Sequence, residues 1–76
     1  MKKFNEIVSK MFNIKIDDIR DDMSSKDIPN WDSMNYLLFI AELEKEFNVS
    51  FTMDEVLNSE TLGTIRTILQ SKTKNL

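Results

Sequence analysis

Glycine and proline are almost missing from this chain, and their scarcity is what most limits the folds open to it. The 76 residues include one of each, Gly63 and Pro29. Neither Asn-Gly nor Asp-Gly occurs, although these dipeptides form the tightest β-hairpin turns. Because such breakers separate short elements, their scarcity favours helices joined by few connections. We therefore expect an all-α protein.

The first half of the chain is predicted to be one helix followed by a long connection. Apolar residues recur there at spacings of three and four, which predicts a helix over residues 3–12. Residues 13–32 form the connection, and loops of this length are uncommon and often functional. Isolated apolar residues are expected to anchor this first loop to the core: Ile14, Ile16, Ile19, Met23 and Ile28.

Polar capping residues precede three further predicted helices. Asp32 is the candidate N-cap of a second helix over residues 33–47, which ends at Phe47 or one residue later. Thr52 and Glu55 have the spacing of a capping box, which opens a short third helix ending near residue 57. Thr61 can cap a last helix.

The last predicted helix completes one domain, residues 1–76. Its apolar face consists of Leu62, Ile65, Ile68 and Leu69. Gly63 within this helix costs about 1 kcal/mol relative to alanine, which close packing of another helix would explain. Residues 72–76 are expected to fray. The predicted fold is a small four-helix up-down bundle, with three longer helices, one short helix and a long first loop.

The composition removes most routes to catalysis. Without cysteine or histidine, the chain has no thiol nucleophile and neither the usual general base nor the usual zinc ligand. The net charge of −3, with no basic run beyond Lys2-Lys3, argues against nucleic acid as a partner. No stretch is long enough to span a membrane, and no apolar signal region follows the start. We expect a monomeric cytoplasmic protein that is not an enzyme and binds no metal.

The second predicted helix is apolar on two faces. At about 100° per residue, an inner stripe and a nearly opposite outer stripe can be distinguished. The inner stripe consists of Tyr36, Phe39, Ile40, Leu43 and Phe47, and the outer stripe of Met34, Leu37, Leu38 and Ala41. A surface helix needs one apolar face, so the outer stripe is expected to be exposed and to contact a partner. The alternative is that the first loop folds back over it.

Ser33 stands at the start of this helix, directly before the outer stripe. With Asp32 as N-cap, Ser33 occupies the first turn, where unpaired N–H groups and the positive end of the helix dipole favour an anion. A phosphodiester on its hydroxyl would lie in a compatible field. Serine is also common at helix starts without any function. Trp31, nearby, is expected to plug the end of the bundle, with its N–H bonded to a loop carbonyl.

The sequence around Ser33 resembles the acyl carrier protein family. The shared features are Asp32-Ser33-Met34 after a long loop, the helix end Glu42-Leu43-Glu44-Lys45-Glu46-Phe47, and Val49-Ser50-Phe51 before a short helix. The resemblance implies that a phosphopantetheinyl transferase attaches 4'-phosphopantetheine from coenzyme A to Ser33. The chain would then carry acyl-type groups as thioesters.

The same resemblance implies roles for both stripes of the second helix. The outer stripe, together with Glu42 and Lys45, would contact the enzymes that load acyl or aminoacyl groups and transfer them. Three residues of the inner stripe would line a cleft for an apolar chain: Phe39, Ile40 and Leu43.

The chain departs from the fatty-acid-synthesis members of that family near Ser33. Those members typically carry acidic residues where Asn35 and Leu38 stand here, and often a small residue where Trp31 stands. A less acidic docking helix attracts basic partners less strongly. We therefore expect a specialised carrier, serving for example a polysaccharide or secondary-metabolite pathway. A D-alanyl, other aminoacyl or peptidyl carrier is an alternative, and so is a helical protein–protein interaction module without a prosthetic group.

Overall fold

Four α-helices follow one another along the chain in a computed structural model that describes residues 2–73. Their bounds are α1 (Lys2–Phe12), α2 (Ser33–Phe47), α3 (Met53–Asn58) and α4 (Leu62–Thr73). A single 3-10 turn, Ile16–Asp18, interrupts the long first loop. The predicted all-α architecture, with three longer helices and one short helix, is confirmed.

The core lies where α1, α2 and α4 bring their apolar faces together. Phe4 and Phe12 of α1 contact the ring of Phe39 on α2, at centroid distances of 5.9 and 5.1 Å. On α4, Ile65 is fully buried, and so is Leu69 one turn later. Burial of each such side chain contributes about 1.5–3 kcal/mol.

The predicted caps are found at the starts of α2, α3 and α4. Asp32 Oδ1 accepts the Asn35 N–H at 2.8 Å, which satisfies one of the unpaired donors of α2. Thr52 forms a complete capping box with the third residue of α3. Thr61 Oγ1 accepts the backbone N–H of Thr64 at 3.2 Å. These bonds fix where each helix begins and how the preceding chain enters it.

The first loop is anchored to the core by most, but not all, of its expected apolar residues. Met23 and Ile28 are buried, whereas Ile14 and Ile19 are half-buried and pack against the core. The prediction for Ile16 is wrong, because that side chain is 48% exposed. Ile16 opens the 3-10 turn, whose other two residues are exposed aspartates, so the whole turn lies at the surface.

Gly63 is required by the first loop and not by another helix, which corrects the sequence-based expectation. A Cβ atom at Gly63 would lie 2.9 Å from Asp21 Cβ and 3.0 Å from the Asp21 carbonyl oxygen. The Gly63 N–H donates to that carbonyl at 2.9 Å, and the Leu62 N–H donates to Met23 O at 3.0 Å. Arg66 forms an ion pair with the Asp21 carboxylate. The loop thus satisfies the first N–H groups of α4.

The end of α4 is more ordered than expected. Fraying was predicted from residue 72, but Lys72 and Thr73 belong to the helix, so the prediction is wrong for these two residues. The Lys72 ammonium lies 2.8 Å from the Glu55 carboxylate and 5.4 Å from the centroid of the Phe51 ring. Residues 74–76 lie outside the described residues. Within residues 2–73, the helices are all too short or too polar to cross a membrane.

Candidate functional site

Ser33 is the first residue of α2, and it is exposed to solvent. Asp32 before it is in extended conformation, and its side chain is held by the Asn35 N–H. The first intrahelical bond runs from the Tyr36 N–H to Asp32 O at 2.8 Å. The N–H groups of the first turn point toward the helix start, as in other helices, and favour an anion there, although that of Asn35 is already bonded to Asp32.

Two asparagines hold the chain on either side of Ser33. Asn35 Nδ2 donates to the carbonyl of Asn30 at 2.8 Å, and Asn30 Nδ2 donates to Phe12 O at 3.3 Å. These bonds connect the end of α1, the end of the first loop and the start of α2. Because both ends of the segment that contains Ser33 are fixed, its hydroxyl is presented at a defined place.

Three aromatic rings form a row beside Ser33, which we call the aromatic row: Phe12, Trp31 and Tyr36. The Trp31 ring stacks on Phe12 at 5.4 Å and on Tyr36 at 5.5 Å, with interplanar angles of 16° and 20°. The Tyr36 hydroxyl donates to the carbonyl of Val56 on α3 at 2.6 Å. The row therefore runs from α1, past the start of α2, to α3.

Trp31 and Tyr36 of the row are only half-buried. Trp31 packs against the core, and its expected role as a plug at the end of the bundle stays a prediction. Among residues 2–73, its N–H has no hydrogen bond to a loop carbonyl. Burial raises the pKa of the Tyr36 hydroxyl above its ordinary value of 10.0, and the Ser59 hydroxyl partly offsets that rise. Tyr36 therefore stays protonated at neutral pH and acts as a hydrogen-bond donor.

A trough of mixed polar and apolar lining begins at Ser33 and passes over Trp31. Its first part, about 400 Å³, is lined by Ser25, Trp31, Asp32, Ser33 and Tyr36. Its second part, about 520 Å³, shares Ser25 and Trp31 with the first and adds Asp22, Ser24, Lys26, Ser59, Glu60 and Thr61. Hydroxyl and charged groups dominate the second part. The segment between α3 and α4 contributes one wall, which the sequence did not indicate because it is distant along the chain.

The outer stripe is exposed, as predicted, and the first loop does not cover it. Met34, Leu37 and Leu38 retain 72%, 56% and 51% of their accessible surface, and Ala41 is exposed as well. Further along α2, Glu42 is half-buried and Lys45 is exposed. Their proposed contact with partner enzymes stays a prediction.

Two large apolar residues of α3 are also exposed and were missed from the sequence. Met53 and Leu57 keep 69% and 70% of their accessible surface. They are four residues apart, so they share one face of the short helix. That spacing was visible in the sequence, but six residues were too few to separate an outer from an inner face.

The inner stripe forms part of the core, as predicted. Phe39 and Leu43 are 0% exposed and Ile40 is 5% exposed, while the two ends of the stripe, Tyr36 and Phe47, are half-buried. The suggested role of the three central residues as a cleft for an apolar chain stays a prediction.

The local chemistry suits a covalently attached anion better than a metal. In residues 2–73, acidic side chains do not cluster closely enough to hold a metal ion. Ser33 offers an accessible hydroxyl, the start of α2 offers N–H groups for a phosphodiester, and the trough offers room beside it. The residues present therefore fit an arm linked through a phosphate.

Comparisons with known proteins agree with this arrangement. The family model described as the phosphopantetheine attachment site matches residues 2–69. Among solved structures, the chain is similar to a Mycobacterium tuberculosis protein assigned as an acyl carrier protein. The two are 23% identical, with a TM-score of 0.77 over 87% of this chain and 88% of that one, which supports the fold. A comparison with curated proteins gave no match.

Proposed function

This chain belongs to the acyl carrier protein family, whose members have a phosphopantetheine attachment site, and on that premise we propose that Ser33 is the attachment residue. Carriers of this family are not enzymes, and their cofactor is 4'-phosphopantetheine. The observation that supports Ser33 is its exposed hydroxyl at the capped start of α2. Ser24, Ser25 and Ser50 lie in connections instead, without the N–H groups of a long helix.

The residues around Ser33 position its hydroxyl and do not activate it. The Ser33 oxygen forms the bond to the pantetheine-bearing phosphorus of coenzyme A as the pyrophosphate bond breaks. Adenosine 3',5'-bisphosphate leaves, and the serine proton goes to a base that the transferase supplies. Asp32 is engaged as N-cap, and the chain has no histidine that could act as that base. When bound, the group supplies the thiol that this cysteine-free chain lacks, and acyl cargo is held there as a thioester.

The outer stripe is proposed as the surface that loading and transferring enzymes contact, with Glu42 and Lys45 at its far end. Lys45 lies twelve residues after Ser33, about 18 Å along the helix axis. A partner that covers this length can bind α2 and still reach the attached arm. Asn35 and Leu38 leave the first half of this surface uncharged, which supports a specialised carrier over one for fatty-acid synthesis.

Intact-mass measurement tests the attachment residue. The chain is incubated with coenzyme A and a broad-range phosphopantetheinyl transferase. We expect the mass of one phosphopantetheine to be added to the natural chain and to Ser25→Ala, but not to Ser33→Ala. Circular dichroism should show that Ser33→Ala is folded, because the side chain is exposed. Addition to Ser33→Ala, or none to the natural chain with several transferases, would contradict the proposal.

A further inference from the structure

We propose that Trp31 and Tyr36 separate cargo on Ser33 from the core, so that the arm lies in the surface trough and the chain carries short or polar acyl groups. This inference rests on the proposed attachment at Ser33. It places the acyl cargo at the surface and not in a cleft of the core, and it names the class of acyl group that the chain carries.

The aromatic row stands between Ser33 and the core. Phe12 is itself a core residue and contacts Phe39 at 5.1 Å, so the half-buried rings of the row, Trp31 and Tyr36, lie on its outer side. Trp31 closes the gap between Phe12 and Tyr36 by stacking on both. The bond from the Tyr36 hydroxyl to Val56 O then joins α2 to α3. A hydrocarbon chain that starts at Ser33 has to displace this row before it reaches Phe39.

The space behind the row is already filled. Phe39 and Leu43 are 0% exposed, and the ring of Phe4 lies against Phe39 at 5.9 Å. Protein interiors are close-packed, so an added chain would require these side chains to move apart. Entry would also break the stacking and the Tyr36 hydrogen bond, which are lost without replacement by an apolar chain.

The trough can take the arm without disturbing the core, and hydroxyl and charged groups dominate its part beyond Trp31. It starts at Ser33 and continues over Ser25 and Trp31 toward Ser59 and Thr61. Pantetheine has two amides and a hydroxyl, which can exchange hydrogen bonds with these serine and threonine groups. The flat Trp31 face can contact the apolar carbons of the arm. A long hydrocarbon at the end of the arm would find charged residues there, whereas a short or polar group would not lose contact with water.

The length of the cargo provides the first test. Acetyl and octanoyl forms are prepared with a transferase that moves acyl-phosphopantetheine from acetyl- or octanoyl-coenzyme A to Ser33 and releases adenosine 3',5'-bisphosphate. Intact mass confirms loading. We expect the two thermal midpoints to agree within about 1 °C. If the octanoyl chain entered the core, its burial would raise the midpoint by roughly 5 °C or more, which would overturn the inference. A failure to load is seen by mass and bears on the attachment proposal instead.

Opening the aromatic row provides the second test. In Trp31→Ala/Tyr36→Phe, we expect the octanoyl form to melt above the acetyl form of the same variant. Comparison within one variant cancels its own loss of stability. Should the double variant not fold, Trp31→Ala alone removes the ring that closes the gap and keeps the Tyr36 bond to Val56. Equal midpoints in every folded variant would overturn the assignment of these residues as the barrier.

The intrinsic fluorescence of the chain gives an independent readout, because Trp31 is its single tryptophan. Attachment of an unloaded arm should lower the acrylamide quenching of Trp31 relative to the unmodified chain, since the arm would cover the exposed part of the ring. The Ser33→Ala variant treated in the same way serves as control and should show no change. Unchanged quenching in the modified natural chain would place the arm outside the trough.

Discussion

At the scale of single residues, opposite faces of α2 differ in what they contribute to stability. Leu43 on the inner stripe is 0% exposed, whereas Leu38 on the outer stripe keeps 51% of its surface. Removal of buried carbons leaves a cavity that the core fills only in part, and removal of exposed carbons does not. The two leucines, five residues apart, therefore form a matched pair.

Leu43→Ala is expected to lower the free energy of unfolding by about 2–5 kcal/mol. Leu38→Glu is expected to change it by no more than about 0.5 kcal/mol, because a carboxylate remains hydrated there. Urea denaturation followed by circular dichroism measures both. If Leu38→Glu were the more damaging of the two, the faces of α2 would be assigned the wrong way round.

Gly63→Ala should destabilise the chain, although alanine is normally the better helix former by about 1 kcal/mol. The new Cβ would collide with Asp21, whose backbone cannot move without losing the bond from the Gly63 N–H. Hydrogen exchange at the amides of Leu62 and Gly63 should accelerate. A more stable variant with unchanged exchange would mean that the loop adjusts freely.

Local residue chemistry was predictable, and long-range contact was not. Asp32, Thr52 and Thr61 were recognised as caps because a cap depends on residues within one turn of itself. The reason for Gly63 lies far earlier in the chain, at Asp21, and nothing in the sequence pairs the two. The stacking of Trp31 on Phe12 and Tyr36 was likewise not predictable, because it depends on how α1 and α2 pack together.

At the scale of elements, the short helix α3 is held by its ends. Thr52 and Glu55 close its first turn, and the Glu55 carboxylate also reaches Lys72 at the end of α4. The Lys72 ammonium lowers the pKa of Glu55 below its ordinary 4.5, and the Thr52 N–H adds to the effect. One carboxylate thus caps α3 and ties it to α4.

Glu55→Gln should remove the charge and keep the capping oxygen. A carboxyl with a lowered folded-state pKa stabilises the fold above its unfolded pKa, and this contribution is lost as pH falls through the folded value. We expect the variant to be less stable at pH 7 by less than about 1 kcal/mol. The difference should shrink as pH falls below 4.5. Thermal melts across this pH range measure it.

Lys72→Gln provides the matched control for this pair. It should reproduce the loss at pH 7, and combination with Glu55→Gln should add little, because both remove the same interaction. A fully additive double variant would show that the two side chains act separately.

At the scale of the whole molecule, the order and type of helices followed from the sequence, because apolar spacing and caps determine each one locally. The exposure of the outer stripe was also predictable, since four helices of this size cannot cover both faces of α2. The surface position of Ile16 was not predictable, because the sequence does not distinguish an isoleucine that anchors a loop to the core from one that is exposed. Nor was the trough, whose walls come from separate connections.

Association with enzymes that bind the outer stripe should depend little on salt. Its first half consists of uncharged residues, and apolar contact is not screened by ions. The rate of modification by a transferase at low enzyme concentration should therefore fall only slightly up to about 0.5 M salt. Leu38→Glu should make that rate more dependent on salt, because a new charge enters the contact. Equal salt dependence in both proteins would place the contact elsewhere.

Two methionines that are exposed within residues 2–73 have a consequence for handling this protein. Met34 and Met53 present their thioethers at the surface, at 72% and 69% exposure. Peroxide converts such sulfur atoms to sulfoxides, which are polar and chiral. An oxidised sample would keep its fold and its Ser33 hydroxyl, but the exposed surfaces of α2 and α3 would become less apolar. Methionine sulfoxide reductases would reverse this change.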